Sequence, residues 1–187
     1  MSDLPSRDQA LALLHEYTQS DSLRKHMLAV EAAMRYYAAH FGEDVDRWGR
    51  VGLIHDFDYE KHPSAEEHPY KGAEILRGLG WLEEDVRCVM SHASYTGVPR
   101  DTRMAHALFA VDELCGLITA VALVRPSKKI AEVEVASVQK KFKQKEFAAR
   151  VSREDIEAGA AELGVELPEH IGHVLAALQG ASGALGL

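Results

Sequence analysis

His55 and Asp56 stand side by side at the end of the apolar run Val51-Gly-Leu-Ile54. A neutral imidazole and a carboxylate are two ligand types that one divalent transition metal accepts together. A single His beside apolar residues is more often a hydrogen-bonded core histidine, so the pair acquires meaning only if further ligands fall near it. Four residues qualify: His26, His68, His92 and Asp112. Asp112 is the most telling, because it is the only charge on the stripe Ala105, Leu108, Phe109, Asp112, Cys115, Gly116 and Thr119. A carboxylate on a core-facing stripe is costly unless protonation, a cation or a metal neutralises it. No Lys or Arg lies within one turn on that face, which favours a metal over a salt bridge. Four imidazoles and two carboxylates exceed what one tetrahedral zinc requires and include no thiolate. They suit one or two divalent ions of the Mn, Fe, Co or Ni kind, with Zn or Mg as alternatives and a carboxylate as the bridge between two.

Helices must position these residues. Apolar residues recur at i, i+3, i+4 and i+7 throughout, and no stretch alternates long enough to make a strand. The expected fold is an all-α, single-domain helical bundle. Helices are predicted over residues 7–17 and about 20–40, the second carrying Leu23, Met27, Val30, Met34 and Tyr37 inward with His26 on the border of that face. The next is capped by Asp44 or Asp46 and carries Trp48, Val51, Gly52 and His55 on one face, ending near Asp56. Residues 57–67 have no period and read as a loop over the site, which makes Asp58 either a solvated loop residue or a general acid.

Pro69 suits a first helical position and holds His68 at the helix entrance. His92 follows Val89 on a further helix, and residues 94–100 form a second loop. A long helix over about 102–123 carries Asp112. Beyond Pro126 the pattern predicts a helix bearing Val135, Val138, Phe142 and Phe147. Another starts at a Ser152 capping box and ends at Gly164, and a last one opens at Pro168. There His170 and His173 read as surface packing rather than ligation. Residues 22–124 hold the motifs, 125–180 pack on them, and 181–187 are expected to fray.

Bulk properties narrow the function classes. A chain of 187 residues, 47% apolar and 27% charged, is of a size for one well-buried core. No run of about eighteen apolar residues suggests a membrane span. The start lacks a basic, apolar leader, and Cys88 and Cys115 make no disulfide framework, so a cytoplasmic location is expected. A net charge of −8 disfavours nucleic acid. Residues 125–153 nevertheless hold nine Lys and Arg against three acids. That stretch is either a solvated face or an attractor of an anionic substrate.

The order His26, then His55-Asp56, then Asp112 resembles the HD superfamily of metal-dependent phosphohydrolases. The segments His68-Pro-Tyr-Lys-Gly-Ala73 and Met90-Ser-His-Ala93 resemble its two-metal branch, often labelled HDIG. Ala110-Val-Asp-Glu-Leu114 is similar to the family's Asp helix. The resemblance implies that His26, His55, Asp56 and Asp112 bind one ion, and that Asp56, His68 and His92 bind a second, with Asp56 as the bridge. It further implies a metal-held hydroxide attacking a small phosphorylated substrate, with Asp56 in the catalytic centre.

The segment after His-Asp departs from the family. Phe57-Asp58 replaces Ile-Gly, and Tyr59 stands where a Lys often follows, leaving Lys61 two positions on as a candidate phosphate contact. Arg125, Lys128 and Lys129 are the other candidates. His-His-Glu and Gly-Tyr-Pro elements of the cyclic-dinucleotide enzymes are absent from the sequence. Two other readings remain open at this point: a mixed-valent di-iron oxygenase with a similar ligand set, and a non-catalytic metal-binding protein.

Overall fold

The computed structural model describes residues 4–187 and, among them, ten α-helices and no strand. The helices are α1 Arg7–Tyr17, α2 Asp21–Phe41, α3 Val45–Ile54, α4 Tyr70–Gly78, α5 Glu83–His92, α6 Arg103–Leu123, α7 Val135–Phe142, α8 Arg153–Leu163, α9 Leu167–Gly180 and α10 Ser182–Leu185. Side-chain caps start several of them. Ser6 and Gln9 form a reciprocal capping box before α1, and Ser20, Asp44, Thr102 and Ser152 each accept from the backbone N–H three residues on. These bonds satisfy donors that a helix start leaves unpaired. Gly42 and Gly164 end α2 and α8 with φ of 72° and 70°, a left-handed turn that glycine adopts without a Cβ penalty.

The bundle is built around α6. Met104, Leu108, Val111, Leu114, Leu117, Ile118 and Val121 are buried along its length, and α2, α5, α7, α8 and α9 pack against it. By length and composition α6 could cross a membrane, yet it is mostly buried inside the bundle. A helix that is apolar all round is satisfied by a protein core as well as by lipid. Each fully buried Leu or Ile here contributes roughly 1.5–3 kcal/mol relative to exposure.

Close approach of α2 and α3 sets the position of the His55-Asp56 pair. A Cβ built on Gly52 would lie 3.0 Å from the Val30 carbonyl and 2.9 Å from Met34 Cγ, so the helix axes meet where α3 has no side chain. His170 pins three helices. Its Nε2–H donates to the Ala110 carbonyl at 2.8 Å, and its Nδ1 accepts from the Tyr37 hydroxyl at 2.6 Å. The carbonyl can only accept, so the tautomer is fixed. His170 does serve packing, but in the interior and not on the surface, since it is fully buried.

Several local expectations are corrected. Pro69 is the N-cap of α4 and not its first residue. The segment after Asp56 is no solvated loop at its start, because Phe57 and Asp58 are both fully buried. Helix α7 stops at Phe142, and Phe147 lies beyond it in a run of turns. The tail does not fray: α10 docks on α2 and α9 and buries Leu185. One well-placed apolar side chain is enough to hold four residues that composition alone marks as loose.

Gly52→Ala should lower stability by about 1–3 kcal/mol, because the added methyl meets backbone that cannot rotate away; urea unfolding at neutral pH measures it. Burial, opposed by the bond to Ala110, lowers the His170 pKa from its ordinary 6.5 to about 4. A depressed histidine pKa adds stability that is complete above pH 6.5 and is lost as pH falls through 4. The expected loss is up to about 3 kcal/mol over that window. In His170→Gln the same window should show a shallower decline in chemical denaturation.

Candidate metal centre

Five helices contribute. His26 lies in the second turn of α2, His55 and Asp56 follow the last residue of α3, His68 precedes α4, His92 ends α5 and Asp112 is midway along α6. Two of the histidines are aimed by the helix ends that carry them. A helix leaves its last carbonyls without helical partners; His55 Nδ1–H donates to the Gly52 carbonyl at 2.8 Å, and His92 Nδ1–H donates to the Val89 carbonyl. Both are bonds to the residue three earlier. Since a carbonyl can only accept, each Nδ1 carries the proton and each Nε2 turns a lone pair to the centre.

His68 reaches the same state through Asp58. Its Nδ1 bonds Asp58 Oδ1 at 2.9 Å, while Asp58 Oδ2 accepts from the Gly72 N–H in the first turn of α4 at 2.8 Å. Asp58 thus ties the loop to the positive end of α4 and orients the imidazole, as carboxylates behind metal-ligating histidines do. A Cβ on Gly72 would fall 2.8 Å from that carboxylate, so glycine is required at the contact. Asp58 is therefore not a solvated loop residue, and it does not line the cavity described below.

The nitrogens and oxygens converge in two adjoining triads, His26, His55 and Asp112, and Asp56, His68 and His92. In the first, Asp112 Oδ1 is 2.9 Å from His26 Nε2 and 3.4 Å from His55 Nε2. In the second, Asp56 Oδ1 is 3.1 Å from His68 Nε2 and 3.0 Å from His92 Nε2. Asp56 Oδ2 faces the first triad, 3.8 Å from His55 Nε2. Asp56 is at the join. His55 Nε2 and Asp56 Oδ1 are buried without a hydrogen-bond partner, an expensive arrangement for polar atoms unless a cation meets them. Imidazole nitrogens and carboxylate oxygens in these numbers fit divalent transition metals.

The charges answer one another. Burial by itself would raise the pKa of Asp112, but the charges of His55 and His26 hold it well below the carboxylate range. Asp56 is likewise depressed, against burial, by His55, His68 and His92. Burial opposes protonation of His68, yet the neighbouring carboxylates of Asp56 and Asp58 push its pKa up to about 9. Protons and metal therefore compete for the same nitrogens, and metal binding should strengthen as pH rises.

The triads open on a cavity of about 540 Å³ walled by Leu23, Tyr59, Tyr95, Phe109 and Val151, a size that suits a small molecule. Tyr95 donates its hydroxyl to the His68 carbonyl at 2.8 Å, and Tyr59 stands edge-on to the His68 ring at 5.3 Å. Glu113 also lines the cavity; burial, and then the charge of Asp112, push its carboxyl up to about 7. None of the four expected phosphate contacts is there. Lys61 Nζ lies 3.9 Å over the Tyr17 ring, and Arg125 faces Glu132 at 3.8 Å. Arg125, Lys128 and Lys129 lie past the end of α6, about 16 Å along its axis from Asp112 at 1.5 Å per residue. The cation that does line the cavity is Arg150, a member of the basic stretch that no local pattern distinguishes from its neighbours.

Comparison with known proteins gives two matches. Residues 23–115 match the family described as HD domain. Ribonuclease Y from Lawsonia intracellularis (strain PHE/MN1-00) is 31% identical over 101 residues, which is 54% of this chain and 19% of that protein. The chain thus spans about a fifth of that relative's length. No solved structure matches significantly.

Asp58→Asn keeps the shape but offers an amide donor to His68 Nδ1, favouring the tautomer whose Nε2 is blocked. The affinity of one metal equivalent should fall by about 10–100-fold, read by titration calorimetry with Mn at constant pH. Unchanged affinity would mean that Asp58 does not orient His68.

Proposed function

Residues 23–115 belong to the HD domain family, and on that footing we propose that the chain is a metal-dependent phosphohydrolase acting on a small phosphate ester. The observation that carries this reading is the pair of adjoining triads with Asp56 at their join, facing a cavity of about 540 Å³. His26, His55 and Asp112, with Asp56 Oδ2, would hold one ion. Asp56 Oδ1, His68 and His92 would hold the other, making Asp56 the bridge. Two bound divalent ions supply positive charge that makes water a nucleophile at neutral pH and draws in phosphate oxygens.

The chain's own residues supply positioning and exclusion. Hydrogen bonds at Nδ1 fix the direction of the His55, His68 and His92 rings and leave Nε2 as the nitrogen that faces the centre. Tyr59, Tyr95 and Phe109 give the cavity apolar walls that displace water around a bound ester. Asp58 is committed to His68 and Gly72, so its role is to position a ligand and not to serve as general acid.

Charge favours a small substrate over a polymer. The net charge is −8, and Asp56, Asp112, Glu113 and Asp155 all line the cavity, whereas a nucleic-acid track needs clustered cations. The relative is named as a ribonuclease, and RNA too is built of phosphate esters.

Metal content should be measured on protein purified without added ions, followed by loading with Mn, Co or Ni and a panel of phosphate esters and nucleotides. Phosphate release is expected, and Asp56→Ala should reduce it by about 100-fold or more, since both ions lose a ligand. Silence across the panel with every ion ends the hydrolase reading. Iron with an oxygen-dependent paramagnetic signal redirects it to an oxygenase.

A further inference from the structure

One wall of the cavity comes from the segment between α7 and α8, residues 143–152, which lies outside the family match. The segment has no regular structure, but it is firmly built. The Arg153 guanidinium donates to the carbonyls of Ala148 at 2.7 Å and Val151 at 2.9 Å, to those of Phe142 and Gln144 at 3.4 and 3.5 Å, and to that of Phe147. One planar donor group thereby gathers five carbonyls between Phe142 and Val151. Lys141 Nζ lies 4.7 Å from the centre of the Phe147 ring and donates to Gln144 Oε1. The Ser152 N–H donates to Glu113 Oε2 at 3.0 Å, which moors the segment to α6 beside Asp112.

The consequence is that Arg150 and Val151 are presented to the cavity. Arg150 is the one Lys or Arg among the lining residues. Among the described residues its side chain has no hydrogen bond and no carboxylate within 4.0 Å, unlike Arg100, Arg125 and Arg153, although Glu113 and Asp155 line the same cavity. An exposed guanidinium without a partner, held at the mouth of a site by an ordered turn, is a ready fork for an oxyanion.

Resting on the phosphohydrolase reading above, we propose that Arg150 is the substrate anchor: its guanidinium binds an anionic group of the phosphorylated substrate as it enters the cavity. The carboxylates of Glu113 and Asp155 disfavour an anion along the wall beside the triads, and Arg150 supplies the positive charge there that offsets them. Its contribution falls on substrate affinity rather than on bond cleavage.

The test uses the full chain loaded with Mn, with inorganic phosphate as the probe and the best ester from the panel as substrate. Arg150→Met should weaken phosphate binding by about 10–100-fold, the range for losing a charge-assisted bond pair. KM for the ester should rise by a similar factor with kcat changed little, at full metal stoichiometry and unchanged melting temperature. Arg150→Lys should recover part of the affinity. Phosphate affinity equal to wild type in Arg150→Met, or no phosphate binding by the wild-type protein, overturns the proposal. If no ester is hydrolysed while phosphate binding still depends on Arg150, the hydrolase reading falls and the anchor stands.

Discussion

Everything in this structure that is unusual for a helical bundle follows from two carboxylates, Asp56 and Asp112, held among buried helices and answered only by histidines. A carboxylate in such a place must be met by positive charge, and four imidazoles are arranged to carry that charge or to pass it to a metal. They come from four different stretches of chain, so the bundle must hold α2, α3, α4, α5 and α6 in a fixed relation. The close approach of α3 to α2 at Gly52 and the pinning of α2, α6 and α9 by His170 both act on that relation. Stability is spent on the site, since its buried polar atoms would pack better as hydrocarbon.

Helix termination and ligand aiming are one device here. The carbonyls that α3 and α5 leave unpaired at their ends are the acceptors that fix the tautomers of His55 and His92, and the first-turn N–H of α4 is the donor that fixes Asp58 behind His68. An end effect that most helices satisfy with water or a cap is used to orient metal ligands. This explains why His55, His68 and His92 sit at helix ends, where the backbone has hydrogen-bonding capacity to offer. Asp112, inside α6, has no such help and relies on His26 and His55 directly.

The cavity has two unlike sides. The side made by α2 to α6 carries the ligands and falls within the HD family match, residues 23–115. The side made by residues 143–152 lies beyond it and carries Arg150 and Val151. The candidate metal ligands and the proposed anchor thus lie in different parts of the chain, joined where Glu113, next to Asp112, accepts from the Ser152 N–H.

The helices themselves were legible without coordinates, because caps such as Ser20, Asp44 and Ser152, stops such as Gly42 and Gly164, and apolar spacing all act within a few residues of where they are written. The candidate ligands were legible too, since a lone Asp on the apolar stripe of α6 and a His-Asp pair ending α3 are anomalies visible in one dimension. Tertiary structure alone decided the rest. Asp58 looks like any polar loop residue until His68 and Gly72, 10 and 14 positions away, close on it. Arg150 looks like one more cation in a basic run until Arg153 folds its segment and Glu113, 39 positions from Ser152, moors that segment to the cavity. Leu185 looks like part of a loose tail until α2 and α9 bury it. Sequence determines what is local in energy, the caps, periods and isolated charges. Burial and facing depend on contacts between distant residues, and these exist only once the chain has packed.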